Sequence, residues 1–278
     1  MSADHEPHGR QVRPRALAIV PARLGSTRMP RKMLRRDTGM CLFEHTVRNS
    51  GRASSIERVV LATDADEIVS AAEAAGVEAL LTSPEHRSGT DRVFEAYQKL
   101  QGTFDVVVNV QGDEPELPPA DLDLLVDAFA DESVEMATLC APIETREDAL
   151  SASVVKVVRD ARGDALYFSR SAIPSFEHPS RPSADGAPGL AAVMRHVGVY
   201  AFRPGALAEF CALPPGALET TESLEQLRWL EAGRRIRVLA VARQAPGIDT
   251  EQDYAAFVAR WSEAKKESDR VVEESRIR

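Results

Sequence analysis

With 278 residues, 44% of them hydrophobic and 28% charged, the chain has the composition of an ordinary globular protein long enough to bury a substantial core. A formal net charge of −9 argues against a duplex nucleic-acid binder, which needs surplus Lys and Arg to displace counterions, yet leaves room for a local basic cluster around a small anion. The cysteines Cys41, Cys140 and Cys211 are far apart, form neither a CxxC pair nor a disulfide framework, and suit a reducing cytoplasm.

In chain order, Met1 to Pro14 read as a loose polar tail. The apolar run Ala16 to Val20 is a buried strand, too short for a signal-peptide core or a membrane span, so a cytoplasmic address is expected. Leu42 to Arg52 has helical spacing, Arg58 to Ala62 is a second strand closed by Thr63-Asp64, Asp66 to Ala75 is a helix stopped by Gly76, and Val77 to Leu81 is a strand. Thr90 to Leu100 as helix, Phe104 to Val110 as strand, Asp121 to Ala130 as helix and Glu135 to Ala141 as strand continue the alternation. This pattern predicts βαβ units in a mainly parallel, Rossmann-like α/β sheet flanked by helices, with ligands beyond the carboxyl ends of the strands. The loops Ala22 to Lys32, Thr63-Asp64 and Gln111 to Pro115 leave strands at that edge and are expected in one cleft.

The second half is more mixed. Val154 to Arg159 and Ala165 to Phe168 read as a β-hairpin around Arg162-Gly163-Asp164. Pro174 to Pro188 is a long loop that could act as a lid. Arg195 to Phe202 is a strand, Pro204 to Ala212 a helix, Glu219 to Ala232 a single amphipathic helix, Arg235 to Ala242 a strand, and Thr250 to about Glu267 a helix. The expected organisation is a tail over 1–14, an α/β core over 15–150, a smaller mixed α+β portion over 151–235, a return to the core over 236–264, and a solvated charged tail over 265–278.

Three cations, Arg23, Arg28 and Lys32, follow the first strand, with Gly25, Ser26 and Thr27 between them. Backbone and hydroxyl donors beside fixed positive charge make a phosphate cradle. A nucleoside triphosphate needs one, because charge gathers on the transferring phosphoryl group. No GxxxxG precedes Lys32, so this is not a Walker loop. Asp113, at the exit of a central strand, suits a hard cation; Glu114 beside it fits better as a solvated turn residue. Asp249 by itself reads as a residue at a helix start, and His196 as a core histidine. Ser88-Gly89-Thr90 offers N–H groups to a phosphate, ribose or base, or simply caps a helix.

Together these segments resemble the sugar-acid cytidylyltransferases, and most closely the 3-deoxy-manno-octulosonate (Kdo) cytidylyltransferase family. The similarity spans about Ala16 to Val258 and is carried by Pro21-Ala-Arg-Leu-Gly-Ser-Thr-Arg-Met-Pro30, Ser88-Gly-Thr90, Asn109-Val-Gln-Gly-Asp-Glu-Pro115, Ala165-Leu-Tyr-Phe-Ser-Arg170, Arg195-His-Val-Gly-Val-Tyr200, Glu222-Ser-Leu-Glu-Gln-Leu-Arg228 and Gly247-Ile-Asp-Thr250. The resemblance implies a nucleotidyltransferase that moves CMP from CTP to the anomeric hydroxyl of Kdo for lipopolysaccharide biosynthesis; another sugar acid, a sialic acid or a modified Kdo, is the alternative. It implies Arg23, Ser26, Arg28, Lys32, Ser88 and Gln111 around the nucleotide, with Lys32, Arg23 and Asp113 catalytic. Gln111, Arg170, His196, Tyr200, Glu225 and Gln226 would hold the sugar acid, and Asp113 and Asp249 would hold Mg2+. It further implies a homodimer built through the second half, with no nucleic-acid or membrane partner. The chain departs from the family pattern at Arg31, where Pro-Gly-Lys is usual; at Gly39-Met40-Cys41, where Gly-Lys-Pro is; and at Glu177, where an Arg is common and Arg181 is the nearest substitute.

Overall fold

A computed structural model describes residues 13–25, 28–175 and 193–277, the side chains at 268, 269 and 271–277 excepted. The tail over 1–12, Ser26, Thr27, Glu177, Arg181 and most of the expected lid lie outside the described residues. The first strand, β1 (Ala16–Ala22), is buried along its whole length. Its alternate residues serve two cores: Ala16, Ala18 and Val20 face one cluster, while Leu17 and Ile19 face the other. A strand covered on both faces has no use for polar alternation, which is why its sequence is a continuous apolar run.

The elements that follow are α1 (Leu42–Ser50), β2 (Ile56–Thr63), α2 (Asp66–Ala74), β3 (Ala79–Leu81), α3 (Gly89–Lys99), β4 (Val106–Asn109), α4 (Pro119–Asp127) and β5 (Met136–Pro142). A short helix that the sequence reading lacks, α5 (Arg146–Leu150), is capped by the Thr145 hydroxyl on the Asp148 amide. The hairpin strands β6 (Lys156–Arg159) and β7 (Ala165–Ser169) then lead to β8 (Met194–Phe202), α6 (Pro204–Ala212), α7 (Ala217–Glu222), α8 (Leu227–Glu231), β9 (Arg237–Ala240) and α9 (Glu251–Ile277). The main sheet runs β3-β2-β1-β4-β8-β5-β9, with β6 and β7 attached through β8. β1 is parallel to β2 and β4, and β5 to β9, whereas β8 is antiparallel to both β4 and β5. Residues 151–235 therefore supply one strand, β8, to the middle of the core sheet.

Two expectations change. The helix expected over Glu219 to Ala232 is broken into α7 and α8 at Ser223, whose φ is 52°. The guanidinium of Arg170 takes the carbonyls of Glu222 and Ser223 at 2.9 and 3.4 Å, acceptors that a continuous helix would use internally. The break puts Glu225 and Gln226 in a turn, with Gln226 buried and Glu225 held by Thr90 of α3. At the C-terminus, α9 continues through the charged stretch to Ile277 instead of stopping near Glu267.

Candidate active site

The loops after β1 and β4 meet the start of α3 and the segment before α9 around a cavity of about 420 Å³. Its walls include Arg23, Gly25, Arg28, Lys32, Gly89, Gln111, Asp113 and Asp249. The side chain of Lys32 is nearly buried, and its ammonium donates to Asp113 Oδ2 at 2.7 Å and to the Ile248 carbonyl at 2.6 Å, with Asp249 Oδ1 3.8 Å away. Arg28 pairs with Asp249 at 2.8 Å. Arg23 is exposed on the rim and has no carboxylate partner among the described residues. Gly112 is required by close approach: a Cβ there would lie 2.8 Å from the Pro21 carbonyl and 3.1 Å from Met33 Sδ. The ends of β1 and β4 can come together only over a residue without a side chain.

Three details differ from the sequence reading. The Thr63-Asp64 loop does not line this cavity, because Asp64 is held 2.8 Å from the fully buried Arg92 of α3. Ser88 is not on the wall either. Its hydroxyl accepts the Asp91 amide as the cap of α3, and it borders a second cavity, while Gly89 lines the first. Glu114 is not a solvated turn residue: its Oε2 is buried with no hydrogen-bond partner among the described residues. Burial and then repulsion from Asp113 and Asp249 raise its pKa to about 8.

Beside this cavity, the β-structure gathers a second group. Tyr200 pairs with Asn109 and with Thr138 across β8, and His196 lies 5.3 Å from Tyr200, ring to ring. His196 Nε2 lies 2.9 Å from Thr138 Oγ1, and burial lowers the imidazole pKa to about 3. Burial and the neighbouring Glu225 raise the Tyr200 phenol well above its usual pKa. Thr90 of α3 donates to Glu225 Oε2 at 2.8 Å. Asn109 Nδ2 approaches Thr90 at 3.5 Å, and Gln111 Nε2 approaches Asn109 at 3.5 Å, so a polar chain runs from the first cavity to Glu225. Among the described residues, Glu225 Oε1 and Gln226 Nε2 are buried without hydrogen-bond partners, Glu225 Oε1 having only Arg228 Nη2 3.8 Å away. Buried polar atoms of this kind cost about 1–3 kcal/mol each when unpaired, which points to a ligand that supplies the missing partners. Arg170 stands apart, donating to the Glu222, Ala152 and Ser223 carbonyls, and two of its five N–H groups have no partner among the described residues.

The comparison with known proteins follows this geometry. A family model described as Cytidylyltransferase matches residues 17–236. The chain belongs to the cytidylyltransferase family. Among its relatives, the 3-deoxy-manno-octulosonate cytidylyltransferase of Anaeromyxobacter sp. (strain Fw109-5) is 50% identical over 240 residues, covering 86% of this chain and 93% of that one. The enzyme of the same name from Geobacter sulfurreducens is 43% identical over 239 residues, covering 85% and 95%. In three dimensions the chain is similar to a CMP:2-keto-3-deoxy-manno-octonic acid synthetase complexed with CTP. That match has a TM-score of 0.81 at 36% identity and covers 90% of this chain and 99% of that one.

Within this cytidylyltransferase, the sequence reading named Lys32, Asp113 and Asp249 but missed what orders them. The Ile248 carbonyl that receives Lys32, and the Ile248 amide bonded to Asp113 O at 2.9 Å, are backbone groups with no side-chain signature. Thr90 and Asn109 lay inside quoted motifs with no role assigned to their side chains. Thr138 was legible as the one hydroxyl in the otherwise apolar strand Met136 to Pro142.

Proposed function

We infer that the chain catalyses CMP transfer from CTP to the anomeric hydroxyl of Kdo, forming a bond from that oxygen to the α-phosphorus and releasing pyrophosphate. The observation that carries this reading is a cavity holding Arg23, Arg28 and Lys32 with two converging carboxylates, in a chain 50% identical to a relative named for this reaction. Arg23 and Arg28 are placed to pair with the triphosphate, and Lys32 is the buried cation that meets charge developing near the α-phosphate. Gln111 stands between the cavity and the polar chain to Glu225, at the boundary of nucleotide and sugar. His196, Tyr200, Glu225 and Gln226 are assigned to the sugar hydroxyls. Arg170, through its uncommitted N–H groups, is assigned to the sugar carboxylate.

A divalent ion fits Asp113 and Asp249. Both carboxylates converge on the single ammonium of Lys32, at 2.7 and 3.8 Å, so a cation placed between them would meet two negative groups. Among the described residues no cluster of three or more His, Cys, Asp or Glu forms a metal cage. Two carboxylates with phosphate and water completing the shell is the arrangement that Mg2+ favours. Bound there, Mg2+ supplies charge neutralisation at the α-phosphate and eases ionisation of the attacking hydroxyl. The reading also includes a homodimer joined through residues 151–235 and a cytoplasmic location; no helix among the described residues is long and apolar enough to cross a membrane.

The test is pyrophosphate release from CTP and Mg2+ with Kdo, an amino-Kdo and a sialic acid offered in parallel, beside an Asp113→Ala variant whose fold is checked by circular dichroism. Turnover with Kdo that falls at least about a hundredfold in the variant is expected. No turnover with any acid sinks the enzyme reading, turnover with sialic acid alone moves the substrate, and a near-normal variant removes Asp113 from the site.

A further inference from the structure

Thr138 is fully buried in β5, opposite an irregularity in β8. The pairing passes from Thr138↔Tyr200 to Leu139↔Val197, so Gly198 and Val199 stand outside the ladder. The Thr138 hydroxyl fills that gap. Its oxygen lies 2.7 Å from the Val199 carbonyl oxygen, 3.2 Å from that of Val197 and 2.9 Å from Nε2 of His196.

A threonine hydroxyl has one proton to give and two lone pairs with which to accept. Two oxygens 2.7 Å apart with no proton between them repel, so the hydroxyl proton points to Val199 O. The short contact with His196 must then take its hydrogen from the ring, and Nε2–H donates to Thr138 Oγ1. In a neutral imidazole the other nitrogen is left with an exposed lone pair. Nδ1 makes no hydrogen bond to any described residue. Burial holds the ring neutral throughout the physiological range.

We propose that Thr138 is a positioning residue that locks His196 in its Nε2–H tautomer, so that Nδ1 is presented as the acceptor for a hydroxyl of the bound sugar acid. The tautomer follows from the Thr138 contacts and the neutrality of the buried ring, while the ligand rests on the reading of His196 as sugar-facing. The same hydroxyl anchors the β8 irregularity between His196 and Tyr200, so one side chain sets the orientation of both rings.

The experiment uses the full-length protein labelled with 15N-histidine at pH 7, the His196 signals being assigned by their loss in His196→Gln. Wild type and Thr138→Ser are expected to show a protonated Nε2 and a bare Nδ1, while Thr138→Val shows the other tautomer or a mixture. In steady-state kinetics, Thr138→Val is expected to raise KM for Kdo about tenfold, the loss of roughly one hydrogen bond, with KM for CTP within about twofold and Thr138→Ser near wild type. A protonated Nδ1 in the wild type overturns the tautomer assignment, whatever the substrate proves to be. An unchanged KM for Kdo in a Thr138→Val protein whose tautomer has shifted overturns the ligand assignment. Absence of Kdo turnover by the wild type overturns both the functional reading and the ligand assignment, while the nitrogen spectrum still decides the tautomer.

Discussion

Arg31 has φ 59° and ψ 26°, the left-handed backbone that glycine adopts without strain. It sits directly before the short 3-10 turn Lys32–Leu34, and this twist swings Lys32 inward to Asp113 and Ile248. The family's Pro-Gly-Lys is thus met by an arginine holding glycine's conformation, steadied by an exposed ion pair with Glu67 on α2. A side chain in that region costs about 1–2 kcal/mol. The exposed pair returns at most about 1 kcal/mol, and glycine would bring its own entropic cost of about 0.5–1 kcal/mol. These contributions nearly cancel, so Arg31→Gly is expected to stay within about 1 kcal/mol of wild type in urea unfolding, with kcat/KM for CTP within about twofold. Arg31→Val loses the ion pair, keeps the strained backbone and adds crowding at the β-branch, so it is expected to be the less stable of the two variants by roughly 1–2 kcal/mol. A valine variant as stable as the glycine one would show that the left-handed conformation is not what constrains this position.

At the scale of elements, the first turn of α3 divides the two halves of the site. Gly89 lines the nucleotide cavity, while Thr90 on the same turn holds Glu225, which belongs to the turn between α7 and α8. Burial raises the Glu225 pKa, and the Ser88 and Thr90 hydroxyls of this turn oppose that shift, so the turn also favours the charged carboxylate. Removing a donor to a charged group costs about 1.5–3 kcal/mol. Thr90→Val is accordingly expected to raise KM for Kdo by ten- to a hundredfold when the sugar is varied at saturating CTP, with Thr90→Ser recovering most of the loss; equal effects on both substrates would place Thr90 in the fold rather than at the sugar. The βαβ half of the molecule was legible because each strand is one apolar run and each helix one amphipathic period, local patterns with local causes. The α7–α8 break was not, because it depends on Arg170, more than fifty residues earlier, reaching carbonyls that local spacing assigns to a helix. Of the two metal-side carboxylates, Asp113 was legible from its place at a strand exit, but Asp249 only through the family motif: by its own surroundings it looks like any residue at a helix start, and its meaning lies in the approach of Lys32 from far along the chain.

For the whole molecule, the question is what keeps so dispersed a site assembled. Asp249 is carried at the foot of α9, and α9 is held to the body by Tyr254 and Phe257 in the core, by Arg260 on Glu116, by Arg35 on Glu251, and by His45 of α1. His45 packs edge-on against Phe257 at 5.0 Å and Trp261 at 4.4 Å, with Nε2 2.6 Å from the Thr38 hydroxyl. Burial lowers its pKa from 6.5 to about 4 and outweighs two charges of α1, Glu44 favouring the protonated ring and Arg48 opposing it; Arg52, Glu116 and Arg260 line the same cavity. Between those values the unfolded chain binds a proton that the folded one refuses, so stability rises with pH across this window. The contribution is complete above pH 6.5, is lost as the pH falls towards 4, and amounts to about 3 kcal/mol at most. His196, lowered in the same direction, adds a further loss that extends to more acid pH. Thermal unfolding followed from pH 7 to pH 4 should therefore show a falling midpoint. In His45→Gln, which cannot titrate, the fall between pH 6.5 and 4 should be smaller by up to that amount. Because α9 carries Asp249, wild-type activity should also recover when a sample held briefly at pH 4.5 is returned to pH 7. A His45→Gln protein with the same acid slope as wild type would exclude His45 as the group that ties the docking of this helix to pH.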